Sequence, residues 1–319
     1  MSRVRIAVIG GGANSEHEVS LASAASIRAA LSSDRYEVLS LTIARDGGWI
    51  DAVGHRVTLS DVVTTLQSCD VAFPAVHGPR GEDGALASLL DFAGIPYVGS
   101  GLAAGALAMD KWATKLVAEA AGVATSGGRL VTAGDLWEAD PAALGMPVIV
   151  KPVAGGSSFG VSRVDARADL PAAIATALEF DSRAIIEPFV VGREVDIAVL
   201  ERADGSKLVS APLEIVVDGG MFDTESKYDG SADLQVPACI TPGERAELEH
   251  SAVTLFDALG CAGVARLDFF LTASGFVLNE VNTMPGMTGE SQVPRMFAAI
   301  GLSYPRLLDE LVDAAFARQ

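Results

Sequence analysis

The sequence predicts a mixed fold, α/β over its first hundred residues and α+β beyond them. Three observations carry that prediction. Strands alternate with helices between Arg3 and Ser100, the order that builds a parallel sheet. From Gly192 onward the apolar segments are mostly short and strand-like. The 319 residues are 50% hydrophobic and 20% charged, which gives length for two or three domains and apolar mass for a large buried core.

The elements follow in chain order. RIAVIG, within Arg3 to Gly12, reads as a buried strand ending in a glycine turn. Apolar and small residues recur at helical spacing from Ser15 to Leu31, with Ser15 as the expected cap and Glu18 as its capping-box partner. YEVLSLTI and CDVAFPAVHG are further strands, with a DGGW turn between them. The loop GPRGEDG leads into the helix ALASLLDFAG, and IPYVGS is short and extended. GALAMDKWATKLVAEAAG reads as one helical segment. A strand (GGRLVTA), a short helix and the strand PVIVKPVAGG come next, and the loop GGSSFG separates the last of these from the strand VSRV. Helix DLPAAIATALEF precedes the strand AIIEPFV. Strands EVDIAVLE, KLVSAPLEIVV and LQVPACI follow, with a polar stretch, DGGMFDTESKYDGSADL, before the third. A helix (ERAELEHSAVTLFDALG), two strands (GVARLDFFLT and GFVLNEVN), the loop TMPGMTGESQVP and two short helices complete the chain.

Charge narrows the function. With 23 Lys+Arg against 41 Asp+Glu the net charge is −18, so a nucleic-acid backbone or an anionic membrane is an unsuitable partner. An anionic small substrate would need locally placed cations, and only five are lysines: Lys111, Lys115, Lys151, Lys207 and Lys227. Cys69, Cys239 and Cys261 are odd in number and far apart, which argues against a disulfide framework or a zinc knuckle. The four histidines form no H-E-x-x-H pair. No apolar run approaches the ~18 residues of a membrane span. The opening MSRVRIAVIGGG is too short in its apolar part for a signal peptide and leads into NSEHE, so the expectation is a cytoplasmic protein.

Several motifs carry chemistry. Gly10-Gly11-Gly12 sits between a strand and a helix, as an anion site or simply a tight turn; Ser15 at the sixth position departs from the dinucleotide fingerprint. Gly156 to Gly160 matches G-x-S-x-G, which raises a serine hydrolase at Ser158 as a reading of a different class. That motif needs a helix after the serine, whereas VSRV reads as strand. A strand–loop–strand of small residues suits phosphates better, because backbone N–H groups can reach oxygen unhindered. Lys151 stands at the entry of this loop. Period-two alternation puts Arg266 and Asp268 on one face of a strand, and Glu280 and Asn282 on one face of the next. If the strands pair, two carboxylates and an amide converge beside one arginine. That set suits Mg²⁺, and equally a cross-strand salt bridge; the Pro-Gly loop after Asn282 favours a site.

Together these pieces resemble the D-alanine–D-alanine ligases of the ATP-grasp superfamily. The blocks that carry the resemblance are GGANSEHEVSLAS, AVHGPRGEDGALASLL, IPYVGSGLAAGALAMDKWATK, VIVKPVAGGSSFGVSRV, ESKYDG, ARLDFFL and LNEVNTMPGMTGESQVPRM, in the family's order over nearly the whole chain. The resemblance implies a three-domain ATP-grasp fold: a Rossmann-like α/β substrate domain over residues 1–102, a central subdomain over 103–187 and a C-terminal subdomain over 188–319. It implies ATP-dependent joining of two D-alanines through an acyl phosphate, for peptidoglycan precursors, by a cytoplasmic homodimer. ATP and Mg²⁺ are the implied cofactors, with Mn²⁺ and a monovalent cation as further candidates.

The same resemblance implies roles residue by residue. Lys111, Lys151 and Lys227 match the lysines around the nucleotide, and Ser157 and Ser158 lie in the loop over its β- and γ-phosphates. Glu187 and Glu194 match the residues that hold the adenine amino group and the ribose. Asp268, Glu280 and Asn282 match the Mg²⁺ ligands. Arg266 and the Gly286 N–H match the oxyanion donors. Glu16 matches the carboxylate that receives the first ammonium, and with Ser157 and Tyr228 it matches the set that ties the mobile loop closed. His77 matches a histidine near the substrate carboxylate. Tyr228 goes with D-alanine rather than D-lactate as second substrate. Three positions depart from the pattern: Gln292 after Ser291 where leucine is usual, Pro188 where lysine is common, and Val153-Ala154-Gly155 in place of a more polar run. Gln292 leaves open a ligase of this fold with a different second amino acid, as in secondary metabolism.

Overall fold

A computed structural model describes residues 3–135, 145–156, 158–216 and 233–318. Three sheets organise them. The first is centred on β1 (Val4–Gly11), which pairs in parallel with β2 (Tyr36–Ile43) and β5 (Val71–Pro74). β3 (Trp49–Ile50) and β4 (Arg56–Val57) extend it antiparallel, giving the order β4-β3-β2-β1-β5. The expected parallel sheet is therefore antiparallel at one edge, because the DGGW turn sends the chain straight back along β2. IPYVGS contributes only an isolated bridge, Tyr97 to Ala72.

The first helix, α1, spans His17–Ala30, and the capping box expected between Ser15 and Glu18 does not form. Asn14 Oδ1 instead accepts from Glu16 N–H at 2.9 Å, and Glu18 pairs with Arg45 at 2.6 Å. A capping box does start α2 (Leu59–Gln67), between Thr58 and Asp61, and α3 (Ala85–Ala93) follows. The segment read as one helix breaks into α4 (Leu102–Met109) and α5 (Lys111–Ala120). Asp110 breaks it: its carboxylate caps Ala113 N–H at 2.8 Å and pairs with Arg183 at 2.6 Å. The break places Lys111 at the first position of α5.

The second sheet has β6 (Arg129–Thr132), β7 (Val148–Pro152), β8 (Ser162–Val164) and β9 (Arg183–Pro188) in the order β6-β9-β7-β8, all antiparallel. α6 (Leu170–Leu178) covers it. The third sheet holds β10 (Arg193–Glu201), β11 (Lys207–Val209), β12 (Leu213–Val216), β13 (Asp233–Gln235), β14 (Val264–Thr272) and β15 (Gly275–Asn282). Its order is β13-β12-β10-β14-β15, with β11 also on β10. The single strand expected over KLVSAPLEIVV splits because the Ser210 hydroxyl accepts the Ala198 N–H at 3.0 Å and Pro212 has no N–H to give. α7 (Pro242–Ala258) packs on this sheet. The chain ends in α8 (Gln292–Ala298) and α9 (Tyr304–Ala317), the latter 14 residues and longer than expected.

The ends of the chain share a core. Ile6, Val8 and Phe73 of the first sheet join Leu200, Phe297, Leu308 and Leu311 in one buried cluster. Tyr36 adds a hydrogen bond to Asp309 at 2.8 Å. The first and third sheets are thereby held in fixed relation, and the site lies where their loops meet the second sheet. No described helix is long and apolar enough to cross a membrane.

Candidate active site

Strand pairing builds the centre of the site. β14 and β15 align so that Arg266 faces Asn282 and Asp268 faces Glu280, the convergence that alternation allowed. β10 lies on the other side of β14 and sets Asp196 opposite Asp268. Arg266 grips Asp268 through both oxygens at 2.7 Å, and Asn282 Nδ2 donates to Asp268 Oδ2 at 2.9 Å. Arg266 Nε also lies 3.6 Å from Asp196 Oδ2. Burial lowers the guanidinium's hold on its proton, but Asp268 and then Asp196 outweigh it, so Arg266 stays charged. Asp196 is fully buried, and neither of its oxygens accepts a hydrogen bond among the described residues. Burial, then the neighbouring Asp268 charge, pushes it well above the usual carboxylate range. Two carboxylates and an amide at Asp268, Glu280 and Asn282 are too few for a closed cage, and no described cluster of three His, Cys, Asp or Glu forms one. Such a hard-oxygen set suits an ion that completes its shell with phosphate oxygens and water.

A cavity of about 400 Å³ opens beside this cluster. Lys111, Lys151, Ser158, Glu187, Glu194 and Glu280 all line it, as do Gly155 and Gly156 of the β7–β8 loop. Lys111 Nζ donates to Gly155 O at 2.7 Å and lies 3.5 Å from Glu280, so one ammonium joins the glycine loop to the acidic cluster. Glu187 sits between two ammoniums, Lys151 at 3.0 Å and Lys115 at 3.2 Å. Burial alone would raise the Glu187 pKa; the Lys151 and Lys115 charges overcome it and hold the carboxyl below its ordinary value. Ser158 adopts a left-handed backbone at φ 59°, and a strand rather than a helix follows it. The nucleophile-elbow reading fails on that topology. His17 and His77 are bonded elsewhere, and His55 and His250 are exposed.

Glu16 reaches this loop from the opposite side. A Cβ on Gly156 would come within 2.6 Å of Glu16 Oε2, and one on Gly78 within 2.3 Å. Both positions must be glycine for the carboxylate to lie between them. His77 is buried behind, and both its ring nitrogens are taken. Met284 O can only accept, so Nδ1 is the donor at 2.7 Å and Nε2 accepts from Ser23 Oγ at 2.8 Å. Ser23 in turn accepts from Met287 N–H at 3.2 Å, and Glu82 accepts from Met284 N–H at 3.0 Å. These bonds pin the chain on both sides of Gly286. His77 therefore braces the Met284–Met287 loop, and both its ring nitrogens are engaged within the protein. Ser291 precedes α8, its Oγ 2.7 Å from Thr288 Oγ1, and Gln292 is the first, half-buried residue of that helix. Ser157, Lys227 and Tyr228 lie outside the described residues.

Lys115, Asp196, Glu82 and Ser23 were not singled out by sequence reasoning. Two of them left a signal. Lys115 is four residues from Lys111, one helical turn along the same face. Asp196 interrupts the apolar run EVDIAVLE on the same strand face as Glu194. Glu82 and Ser23 gave none, since their role depends on contacts far apart in the chain.

Known proteins add an independent line. A model of the D-ala D-ala ligase C-terminus matches residues 119–313, and one of the N-terminus matches 5–62 and 51–100. The chain belongs to the D-alanine–D-alanine ligase family. It is 42% identical to the D-alanine–D-alanine ligase of Mycolicibacterium smegmatis, over 99% of this chain and 96% of that protein. It is equally similar to that of Mycolicibacterium gilvum, over 99% and 98%. Among solved structures, the VanG D-Ala:D-Ser ligase of Enterococcus faecalis superposes with a TM-score of 0.88 at 33% identity, covering 98% of this chain and all of that one. The Bacillus anthracis ligase complexed with ATP gives 0.82 at 28%, covering 98% and 97%. The mixed α/β and α+β architecture is the ATP-grasp fold of these ligases, as the sequence led one to expect.

Proposed function

We propose that the protein is an ADP-forming ligase that joins two D-alanines for peptidoglycan precursors, with ATP bound in the 400 Å³ cavity. The observation that carries this reading is the convergence of Lys111, Lys151 and the glycine loop at one cavity with Glu280, the cross-strand partner of Asp268. A carboxylate attacking a triphosphate brings two anions together, so the site must supply cations. Lys111 and Lys151 sit toward the phosphates, and the backbone of Gly155 and Gly156 lets them approach. Glu16 receives the ammonium of the first D-alanine, which leaves that molecule's carboxylate directed at the γ-phosphorus. Attack forms an acyl phosphate and releases ADP. The deprotonated amine of the second D-alanine adds to the acyl carbon, Arg266 and the Gly286 N–H stabilise the oxyanion, and phosphate leaves as the peptide bond forms. Asp268, Glu280 and Asn282 would hold Mg²⁺, which offsets charge on the transferring phosphoryl group. Glu187 accepts from the adenine amino group, and Glu194 from the ribose. Lys227, Tyr228 and Ser157 close the site in this reading. A cytoplasmic homodimer belongs to it as well, and light scattering of the purified chain checks the dimer.

An acceptor screen tests the reaction. With ATP and D-alanine alone, phosphate is released and the product has the mass of the D-alanyl dipeptide. Release that requires a different amino or hydroxy acid would overturn the choice of D-alanine as second substrate.

A further inference from the structure

Lys115 is left without a role by the reading above, yet it is 2% exposed. Lysine is almost never buried this deeply unless paired. Its ammonium lies 3.2 Å from Glu187 Oε1 and donates to Ser126 Oγ at 2.7 Å. Lys151 lies 3.0 Å from Glu187 Oε2 and donates to Asn279 Oδ1 at 3.3 Å. Glu187, Lys151, Ser126 and Asn279 line the cavity, and Lys115 stands behind them. Any effect of Lys115 on a ligand therefore passes through Glu187 and Ser126.

Glu187 already has a counter-ion in Lys151, so a second buried ammonium is not needed for neutrality, and its desolvation is costly. What it adds is control of the carboxylate. An ionised carboxylate only accepts hydrogen bonds, whereas a protonated one also donates. The distinction bears on a purine: adenine presents an amino donor at ring position 6, and hypoxanthine and guanine present a carbonyl acceptor there. We propose that Lys115 is a positioning residue for base selection, fixing Glu187 as an acceptor-only group that takes a 6-amino purine and turns away a 6-oxo one. This rests on the reading that Glu187 faces the base. Burial outweighs the Glu187 charge and leaves the Lys115 ammonium below its ordinary pKa, with Glu187 as the chief group that keeps it charged.

The test compares ATP with inosine triphosphate, which differs at position 6, in assays of D-alanine-dependent phosphate release. Lys115→Met lowers the ratio of kcat/KM for ATP over inosine triphosphate about tenfold, mainly through KM for ATP, the effect of losing one well-placed charge-assisted hydrogen bond. Lys115→Arg restores most of the ratio. Glu187→Gln, whose amide can donate to a carbonyl, lowers the ratio as well. If Glu187→Gln lowers it and Lys115→Met does not, the role of Lys115 is overturned while the base contact stands. If Glu187→Gln leaves it unchanged, the base contact itself falls, and the inference with it. Should Lys115→Met not fold, Ser126→Ala removes the other anchor of Lys115; a smaller fall in the ratio supports the proposal, and an unchanged ratio overturns it.

Discussion

Two charge clusters, each with one carboxylate on the same cavity, are built in opposite ways. Around Arg266 stand the carboxyl groups of Asp196, Asp268 and Glu280, and Lys111 lies 3.5 Å from Glu280. Around Glu187 stand two ammoniums, Lys115 and Lys151. In the first, several carboxyl groups share one guanidinium; in the second, two ammoniums share one carboxylate. Buried charges are seldom left unbalanced, because desolvation is offset only by close partners. In the proposed reading a cation would sit at the carboxylates and an anion near the lysines. A metal-bound triphosphate lying across the cavity would supply both. The difference between the clusters explains how a chain of net charge −18 can bind a polyanion. Lys111 and Lys151, two of its five lysines, line the cavity.

Removing the shared cation of the acidic cluster is the most severe way to test this contrast. Arg266→Met leaves Asp268 and Asp196 without a guanidinium. Ligand-free stability should fall by about 3–5 kcal/mol, the usual effect of breaking a buried pair from one side. Phosphate release should fall roughly 10²–10³-fold, as when an oxyanion donor is lost. Thermal melting and initial rates check the two separately. A variant within a few-fold of the parent rate would remove Arg266 from the chemistry and leave the cluster as a salt bridge alone.

A further carboxyl, Glu82, sharpens the comparison because it lies outside both clusters. Glu82 has backbone N–H groups for partners, from Gly78 at 2.9 Å and Met284 at 3.0 Å. Burial and then the Glu16 charge push it from its ordinary 4.5 up to about 8, whereas Glu187 with two ammoniums is held low. The sign for stability follows. A carboxyl raised on folding binds its proton more tightly in the native state, so the stability it lends is full below about pH 4.5. It declines as pH rises and is gone above about 8. Melting temperature measured from pH 5 to 8.5 should fall by about 3–5 °C in the parent relative to Glu82→Gln. Parallel curves for the two proteins would show that Glu82 keeps an ordinary pKa.

How far these clusters were legible in the sequence depended on the range of the contacts. Arg266, Asp268, Glu280 and Asn282 were readable because alternation fixes the face of each residue, and the two strands are consecutive. Lys111, Lys151, Glu187 and Glu194 came from family blocks and do line one cavity. Asp196 and Lys115 escaped because their partners lie on elements far away in the chain, β14 and β9, and no local pattern reports that pairing. The helix break at Asp110 escaped for a similar reason: a mid-segment aspartate caps only because Arg183 and the Ala113 N–H meet it. His77 was readable from the family blocks as a candidate. Its bracing of the Met284–Met287 loop through Ser23 was not.

The smallest effect is expected at the proposed acceptor end, where charge does not decide. Ser291 and Gln292 are neutral, and Gln292 is half-buried at the start of α8. An amide there can hydrogen-bond a hydroxyl on the second amino acid, and a leucine cannot. A neutral hydrogen bond is worth about 0.5–1.5 kcal/mol, so Gln292→Leu should sharpen preference for D-alanine over D-serine roughly three- to tenfold. Product masses from reactions with both acceptors present at equal concentration measure that ratio. An unchanged ratio would place Gln292 outside the acceptor subsite, and discrimination would then rest with the backbone around Gly286 and with Ser291. A shift of a hundredfold or more would be equally informative. It would mean that a neutral side chain exerts as much control as the charged clusters do, and that the division of the site by charge is incomplete.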